Sequence, residues 1–383
     1  MVAFQFMRAL FENMHVSERF ILKLLPYGAM ATVCDVVELK GENRIIVKEG
    51  LEALKINNDI GINALINQCK LNKKNLDSYH FGFILGPCLN ASGRLDTAKK
   101  AMDLLECEDE KYAEVLAEAL KKLNDERKDL TEKGTKEAIE KAEQLDDSVL
   151  VIYLEHCHES IAGIIAGRVR EKYNKPTIVL TDAVEGVKGS GRSIETYHMY
   201  NEMVKVKECF TKFGGHPMAA GLSMEESRLS ELRQRLNANA QLTEEDFVKK
   251  VHIDIALPVS WLSEEFLTEL DMLEPFGNGN QKPLFAQKGF VITGARILGS
   301  TGRCLKMFLR DEKGYSIDAI YFGDTSLFFQ DMENCCGKEE TERIKKGLSS
   351  SVRGGRNRNS DRRDHGEPVF LYLQRAALPR NGV

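Results

Sequence analysis

Residues 149–180 read VLVIYLEHCHESIAGIIAGRVREKYNKPTIVL, and this stretch decides the fold of the middle of the chain. The continuous apolar run 149–154 is typical of a buried strand, and a second apolar run follows at 177–180. Between them, residues 161–173 have the apolar spacing of a helix. Strand, helix and strand within about 30 residues indicate a βαβ unit with a parallel strand pair. We therefore predict an α/β domain over residues 146–245.

The sequence before this domain is helical in pattern, with one exception. Residues 3–25 and 97–106 have helical periodicity, and the charged, alanine-rich stretch 110–145 predicts one long helix with a solvated face. The exception is the apolar run YGAMATVC (27–34), which ends in Asp35. We interpret that run as a buried strand that delivers a carboxylate to the edge of a sheet.

The sequence after the domain changes character twice. Residues 246–330 contain short alternating strands joined by glycine turns, which predict a small β-barrel. Beyond about residue 331 the regularity fails, and the stretch 349–368 (SSSVRGGRNRNSDRRDHGEP) is polar, basic and low in apolar residues. Such a composition predicts an irregular, disordered tail.

Composition limits the class of protein. The chain has 383 residues, of which 43% are hydrophobic, so two or three domains can each bury a core. The net charge of −5 argues against a protein that coats nucleic acid over its whole surface, but it leaves room for a local basic groove. No stretch approaches the roughly 20 apolar residues of a membrane span, so we expect no membrane partner. Nine cysteines without a CxxC pair argue against a zinc site and indicate reduced thiols in a cytoplasmic protein.

The motif GPCLNASGRLDTA (86–98) combines small residues with Asn90 and Arg94. We interpret it as a turn that ends in a helix N-terminus, where backbone N–H groups and an arginine fork can hold an anion. A plain helix cap without a ligand fits the same residues.

Two further motifs surround polar side chains with glycine. In GSGRS (189–193) the glycines allow a ligand to come close to the backbone, and Ser190 and Arg192 are suited to a terminal phosphate. In FGGHPMAAG (213–221), His216 can donate a hydrogen bond to a phosphate or a scissile oxygen. Taken singly, the two motifs are better explained by a solvent turn between two strands and by a structural histidine.

In order and context, these motifs resemble the RecJ branch of the DHH phosphoesterase superfamily across residues 1–330. The matching stretches are ATVCDVVELKGENR (31–44), GPCLNASGRLDTA (86–98), the helix with Asn124 and Arg127, CHESIAGIIAGR (157–168), KGSGRSIE (188–195), FGGHPMAAGLSM (213–224) and LEPFGNGNQKPLF (273–285). Cys88 and Cys157 stand where the family most often has Arg and Trp.

The resemblance implies an α/β protein of five segments. In chain order they are the C-terminal remnant of a DHH domain (1–96), a connecting helix (97–145), a DHH-associated domain (146–245), an OB-fold domain (246–330) and the basic tail (331–383).

The resemblance also implies an activity. Members of this family remove nucleotides from the 5′ end of single-stranded DNA, in the 5′→3′ direction, with two divalent ions, Mn²⁺ or Mg²⁺. By motif, Asp35 is a metal-binding and catalytic carboxylate. The OB-fold implies a groove that follows a single strand by charge and stacking, with Arg296, Lys306, Phe308 and Arg310 as candidates. DNA-repair proteins such as a helicase or a single-strand-binding protein are the implied partners.

The remaining site residues are carried over by motif in the same way. Ser190 and Arg192 match the pocket that reads the 5′-phosphate. Asn90, Arg94 and His216 match groups that hold the scissile or neighbouring phosphates, and His216 is also a catalytic candidate.

The sequence departs from the family at its metal motifs. No Asp-His-His triplet occurs in the 383 residues, and the family's first three metal motifs lie upstream of what Met1 matches. One carboxylate cannot hold two hard cations, which need several oxygen or imidazole ligands. We therefore expect an N-terminally truncated member, inactive alone, whose first segment exposes apolar surface. The alternative is a non-catalytic module that binds single-stranded DNA or a 5′-phosphate.

Overall fold

The computed structural model describes residues 2–56, 58–299, 302–338, 341–342, 344 and 371–372. These residues fall into two compact units, and each is described by itself. The first unit is Met1–Lys250 with Gly277–Gly279, and the second is Val251–Phe276 with Asn280–Val383. No helix among the described residues is long and apolar enough to cross a lipid bilayer.

The first part of unit one consists of helices. They are α1 (Val2–Asn13), α2 (Glu18–Cys34), α3 (Gly41–Ile56), α4 (Ile60–Gln68), α5 (Ser78–His80), α6 (Gly86–Leu95), α7 (Lys99–Leu105) and α8 (Glu110–Ala142). A π-helical turn, Phe81–Leu85, joins α5 to α6. The predicted long charged helix is α8, whose buried residues recur at helical spacing and face the other helices, as Leu116 and Leu120 do.

The strand predicted to end at Asp35 is wrong, because residues 27–34 continue helix α2. Asp35 caps that helix, and its N–H donates to Ala31 O at 3.0 Å. The small residues that resembled a strand instead allow two helices to pack closely: a Cβ on Gly50 of α3 would lie 2.4 Å from Ala29 Cβ. Within residues 2–56 and 58–145 the structure describes no strand.

The expected apolar surface is present on this helical part. Helix α1 has no buried residue, although its sequence is strongly apolar. The large exposed hydrophobic side chains of α1, α2 and the turn between them are Val2, Phe6, Leu10, Met14, Phe20 and Leu22.

Helices α4 and α7 cross with backbone contact at one glycine. A Cβ on Gly61 would lie 2.0 Å from the carbonyl oxygen of Leu104 and 2.9 Å from its carbonyl carbon. Leu65 and Leu104 are buried in the same core. No residue larger than glycine fits at position 61 unless the two helices separate.

The α/β domain is a five-stranded sheet in the order β1-β2-β3-β5-β4. The strands are β1 (Leu150–Leu154), β2 (Thr177–Asp182), β3 (Val187–Arg192), β4 (Lys212–His216) and β5 (Ala219–Met224). Strands β1 and β2 are parallel and are joined by α9 (Glu159–Tyr173), so the predicted βαβ unit is confirmed. Helices α10 (Met199–Val204), α11 (Leu229–Asn239) and α12 (Glu244–Phe247) complete the domain.

Apolar side chains pack against both faces of this sheet. Helix α9 packs its buried residues, such as Ile165, against Ile152 and Val179. On the opposite face, Met199 and Leu232 pack against Leu180 with the rest of that core.

The described residues of unit two include short strands and the helices α13 (Glu264–Asp271) and α14 (Thr325–Cys336). The strands are β6 (Ile255–Ala256), β7 (Phe285–Gln287), β8 (Phe290–Ile297), β9 (Cys304–Asp311), β10 (Ser316–Phe322) and β11 (Leu371–Tyr372). They form two three-stranded sheets, β10-β9-β8 and β11-β7-β6.

The irregular tail predicted from residue 331 is wrong for its first residues, which belong to α14. Phe329 and Met332 lie one turn apart and bury their side chains with Leu305 and Leu309. Most of the remaining predicted tail, including 345–370 and 373–383, lies outside the described residues.

Candidate phosphate-binding site

Three of the predicted site residues lie on one face of the five-stranded sheet. Strand register pairs Arg192 with Ala219, and Ala219 with His216. Because residues paired across neighbouring strands share a face, Arg192 and His216 point to the same side, with backbones about 10 Å apart. Ser190 lies two residues before Arg192 and therefore on that face too.

Glycines form the floor between these side chains. Ser190 pairs with Gly221, and Gly221 pairs with Gly214 on the edge strand β4. A Cβ added at Gly214 or Gly221 would meet nothing within 4 Å, so this part of the sheet surface is open. A ligand can approach the backbone here closely, which we call the glycine floor (Gly214 and Gly221).

The hairpin that carries His216 is anchored beside the end of β3. Ser193 N–H donates to Met218 O at 2.9 Å, and Met199 N–H donates to Pro217 O at 2.9 Å. These bonds hold the turn after His216 next to Arg192, while the His216 side chain remains exposed.

Arg192 is held by its own strand and by helix α9. Its Nη1 donates to Ser190 Oγ at 2.8 Å and to Gly191 O at 2.7 Å. Gly163 of α9 faces both side chains, since a Cβ there would lie 2.7 Å from Arg192 Nη2 and 2.8 Å from Ser190 Oγ. The missing side chain at position 163 thus makes the space that the Arg192 guanidinium occupies.

The predicted turn at Asn90 and Arg94 is wrong, because both residues lie within helix α6. The π-helical turn before Gly86 continues directly into α6, so no free helix N-terminus exists at this motif. Asn90 and Arg94 are four residues apart and share a face. Arg94 Nη1 donates to Ser160 O at 2.7 Å, which places the guanidinium at the first turn of α9.

Three further arginines, which the sequence did not predict as site residues, lie close enough for electrostatic interaction with this group: Arg127, Arg168 and Arg170. Burial, followed by the positive charges of Arg94 and Arg168, lowers the pKa of Arg127. Burial, followed by the charges of Arg94 and Arg170, lowers the pKa of Arg192. The five residues form what we call the arginine cluster: Arg94, Arg127, Arg168, Arg170 and Arg192.

The arginine cluster has little negative charge to balance it. Arg170 contacts Glu171 at 3.6 Å, but no carboxylate in the described part of the chain forms an ion pair with Arg94, Arg127, Arg168 or Arg192. Like charges held together without counter-ions repel each other, and an anion that binds among them relieves the repulsion. The cluster is therefore suited to a phosphate, which arginine forks bind with paired hydrogen bonds.

Two family profiles match consecutive parts of the chain. The family profile of the DHHA1 domain matches residues 146–242, and that of the RecJ OB domain matches residues 253–340. The single-stranded-DNA-specific exonuclease RecJ of Bacillus subtilis is 36% identical over 311 residues, covering 80% of this chain and 39% of its own. The Escherichia coli RecJ is 33% identical over 334 residues, covering 83% and 57%.

The chain is a RecJ homologue.

Solved structures of RecJ are similar to the structure of this chain. RecJ of Thermus thermophilus in complex with Mg²⁺ superposes with a TM-score of 0.71 and 28% identity, over 82% of this chain and 48% of that one. Its complex with Mn²⁺ gives a TM-score of 0.72 and 29% identity, over 81% and 46%. The homologue thus spans between 39% and 57% of the length of the two curated RecJ proteins named above.

The described residues of this RecJ homologue do not fit a two-ion metal centre. No group of three or more His, Cys, Asp or Glu side chains that could hold a metal ion occurs among them. Asp35 is an exposed helix cap, and the loop after it is held by Asn278, whose Nδ2 donates to Val36 O at 2.8 Å. His156 contacts Asp182, and His158 caps α9. Asp35 is the one predicted metal ligand, and no described contact joins it to the arginine cluster.

We expect Gly163→Ala to weaken binding of a 5′-phosphorylated strand about threefold to tenfold without loss of stability. The new Cβ displaces the flexible ends of Arg192 and Ser190, while alanine improves helix propensity by about 0.5–1 kcal/mol. Fluorescence anisotropy with phosphorylated DNA and thermal unfolding measure the two effects.

The matched control is Gly167→Ala, one turn along α9, where a Cβ meets nothing within 4 Å. It should give the same gain in helix propensity and leave the affinity unchanged. Equal affinities for both variants would show that Arg192 does not need the space at Gly163.

Proposed function

We propose that this chain is the substrate-holding part of a RecJ-type 5′→3′ exonuclease specific for single-stranded DNA, and that the arginine cluster reads the 5′-phosphate. The observation that carries the proposal is Arg192, bonded to Ser190 beside an open glycine floor, in electrostatic interaction with neighbouring arginines. Among the described residues, no carboxylate forms an ion pair with Arg94, Arg127, Arg168 or Arg192. The relatives named above are single-stranded-DNA-specific exonucleases, which supports the choice of ligand.

A terminal phosphate suits the site better than an internal one. A terminal phosphate monoester carries about −1.5 to −2 charges at neutral pH and three free oxygens, whereas a phosphodiester carries one charge. Ser190 Oγ already accepts a hydrogen bond from Arg192, so its proton is free to point to an anion. In this proposal Arg192 and Ser190 hold the terminal phosphate.

The other predicted residues fit positions further along the strand. Arg94 reaches the cluster from α6, and Asn90 lies one turn before it on the same face. His216 stands on the far side of the glycine floor, about 10 Å from the Arg192 backbone. That spacing leaves room for more than one phosphate of an extended strand, so Asn90, Arg94 and His216 are proposed to hold the next phosphates.

In unit two, the outer face of the sheet β8–β10 is suited to a single strand. Lys306, Phe308 and Arg310 alternate along β9, and Arg296 lies opposite Lys306. Phe308 is 39% exposed, so it is not a core residue, and Lys306 Nζ lies 5.4 Å from its ring centroid. Exposed aromatic rings and cations on one face stack bases and attract phosphates without reading sequence.

The described residues of this chain do not account for the binding of divalent ions, which RecJ binds. Mn²⁺ and Mg²⁺ are bound by the Thermus thermophilus enzyme, but the described residues here do not supply a ligand set for two ions. The same observation favours a second candidate function, a non-catalytic module that binds a 5′-phosphorylated strand. Helicase and single-strand-binding protein partners follow from the family resemblance alone.

We expect the purified chain to show no metal-dependent nuclease activity above background in Mn²⁺ or Mg²⁺. Asp35 alone cannot replace several oxygen or imidazole ligands. The measurement is the release of nucleotides from a 3′-labelled single strand, with Asp35→Ala as the control protein. Degradation by the chain that disappears in Asp35→Ala would overturn this expectation and assign Asp35 to a working metal site.

The test of the binding function compares two otherwise identical single strands, one with a 5′-phosphate and one with a 5′-hydroxyl. The phosphorylated strand should bind more tightly, and both affinities should fall as salt rises because phosphate contacts release counter-ions. Equal binding of the two strands at every salt concentration would remove the proposed 5′-phosphate pocket. Tighter binding without nuclease activity is expected both for the substrate-holding part of an exonuclease and for a non-catalytic module. The two functions are distinguished by adding a metal-binding domain, which restores cleavage only in the first case.

A further inference from the structure

Two cysteines lie side by side behind the arginine cluster. Cys69 Sγ and Cys88 Sγ are 3.9 Å apart, and both thiols are free. Cys69 caps the end of α4 and is half-buried, whereas Cys88 lies in α6 and is fully buried. Cys69 is thus the more exposed residue of the pair, and Cys88 lies behind it.

The surroundings of Cys69 favour its thiolate. The hydrogen bond from the Cys88 thiol lowers the pKa of Cys69, and the positive charges of Lys121 and Lys128 act in the same direction. Burial and the negative charge of Asp125 oppose them, but Asp125 is itself paired with Lys121. The thiolate is the reactive form of cysteine, so Cys69 is the nucleophile of the pair.

A chain of hydrogen bonds links this pair to the arginine cluster. Buried Asn124 donates from Nδ2 to Cys88 Sγ at 3.4 Å. Its Oδ1 accepts from Arg127 Nε at 3.2 Å and from Arg127 Nη2 at 3.0 Å. A movement of the Cys88 sulfur therefore reaches Arg127 through one side chain.

We propose that Cys69 and Cys88 form a reversible disulfide on exposure to a hydroperoxide, and that its closure shifts Asn124 and Arg127 and weakens anion binding. A disulfide needs the sulfurs about 2.05 Å apart, so they must approach by nearly half their present separation. The bonded Cys88 sulfur is also a poorer acceptor for Asn124. The effect on binding rests on the proposed function, whereas disulfide formation does not.

The chemistry balances with the peroxide as the oxidant. The Cys69 thiolate attacks one peroxide oxygen, the O–O bond breaks, and water or an alcohol leaves with a proton from solvent, which gives a sulfenic acid. The Cys88 sulfur then attacks the sulfenic sulfur, the S–O bond breaks, and water leaves with the Cys88 proton. Two thiols are oxidised to one disulfide, and one peroxide is reduced.

The first measurement is the disulfide itself in the full chain. After treatment with one equivalent of hydrogen peroxide and alkylation, peptide mass spectrometry should find the Cys69 and Cys88 peptides linked, and a thiol reductant should release them. Cys69→Ser and Cys88→Ala should each abolish the link, and Cys107→Ser should not. A stable sulfinic acid at Cys69, or an unmodified pair, would overturn the proposal.

The second measurement is the affinity for a 5′-phosphorylated strand before and after oxidation. Loss of one charge-assisted arginine contact should weaken binding about tenfold, with recovery on reduction and no change in Cys69→Ser. A linked pair with unchanged affinity would overturn the coupling to Arg127. If the reduced chain binds phosphorylated and unphosphorylated strands equally, the proposed function is wrong. The mass-spectrometric detection of linked peptides still tests, independently, whether Cys69 and Cys88 form a disulfide.

Discussion

Arg192→Ala is expected to erase the difference in affinity between 5′-phosphorylated and 5′-hydroxyl single strands. Arg192 is the cluster residue that contacts Ser190 and is held in place by two hydrogen bonds, so it is oriented before the ligand arrives. A charge-assisted hydrogen bond contributes about 1.5–3 kcal/mol, which corresponds to about tenfold in affinity or more. Arg192→Lys should retain part of the preference, because a lysine keeps the charge but not the fork.

The control for this prediction is another arginine of the same domain. Arg228 lies outside the arginine cluster and bonds to Glu208, so Arg228→Ala should leave the affinity ratio unchanged. The ratio also removes the contribution of the basic tail, whose arginines can bind either strand: Arg353, Arg356, Arg358, Arg362 and Arg363. A preference for the phosphorylated strand that survives in Arg192→Ala would assign the reading of the 5′ end to other residues.

Gly61→Ala is expected to destabilise the chain by about 2–3 kcal/mol, the upper part of the range of about 1–3 kcal/mol that is usual for overpacking a core. The new Cβ would meet the backbone of Leu104, and a backbone cannot turn aside as a flexible side chain can. The melting temperature should fall by roughly 4–12 °C, as measured by thermal unfolding.

Gly167→Ala serves as the stability control, because a Cβ has open space there and should raise stability slightly. An unchanged melting temperature for Gly61→Ala would mean that α4 and α7 are further apart than the Gly61–Leu104 contact requires.

The α/β domain was predictable because its signals are local. The runs 149–154 and 177–180 are apolar at consecutive positions, which requires burial on both faces, and the helix between them has its own period. The run 27–34 failed as a prediction because small apolar residues fit a strand or a packed helix. What decides between them is Gly50, on another helix, and the sequence before Asp35 does not show that contact.

The residues of the candidate site were also predictable only in part. Ser190, Arg192 and His216 were found from glycine-rich motifs, and strand register brings them to one face. Arg168 and Arg170 were missed because charges on a helix usually face solvent. A signal was present nonetheless: Gly163 and Gly167, four residues apart, leave one side of α9 without bulk just before those arginines.

The glycine floor has a consequence for how mutational scans of this protein are interpreted. The floor contributes open space instead of side chains, and alanine fits at Gly214 and Gly221 without a clash. An alanine scan would therefore record Arg192 as important and the floor as tolerant. Only residues with longer side chains, such as leucine or glutamate, would raise an obstacle in front of the ligand. Tolerance to alanine at these two positions is thus no measure of their part in recognition.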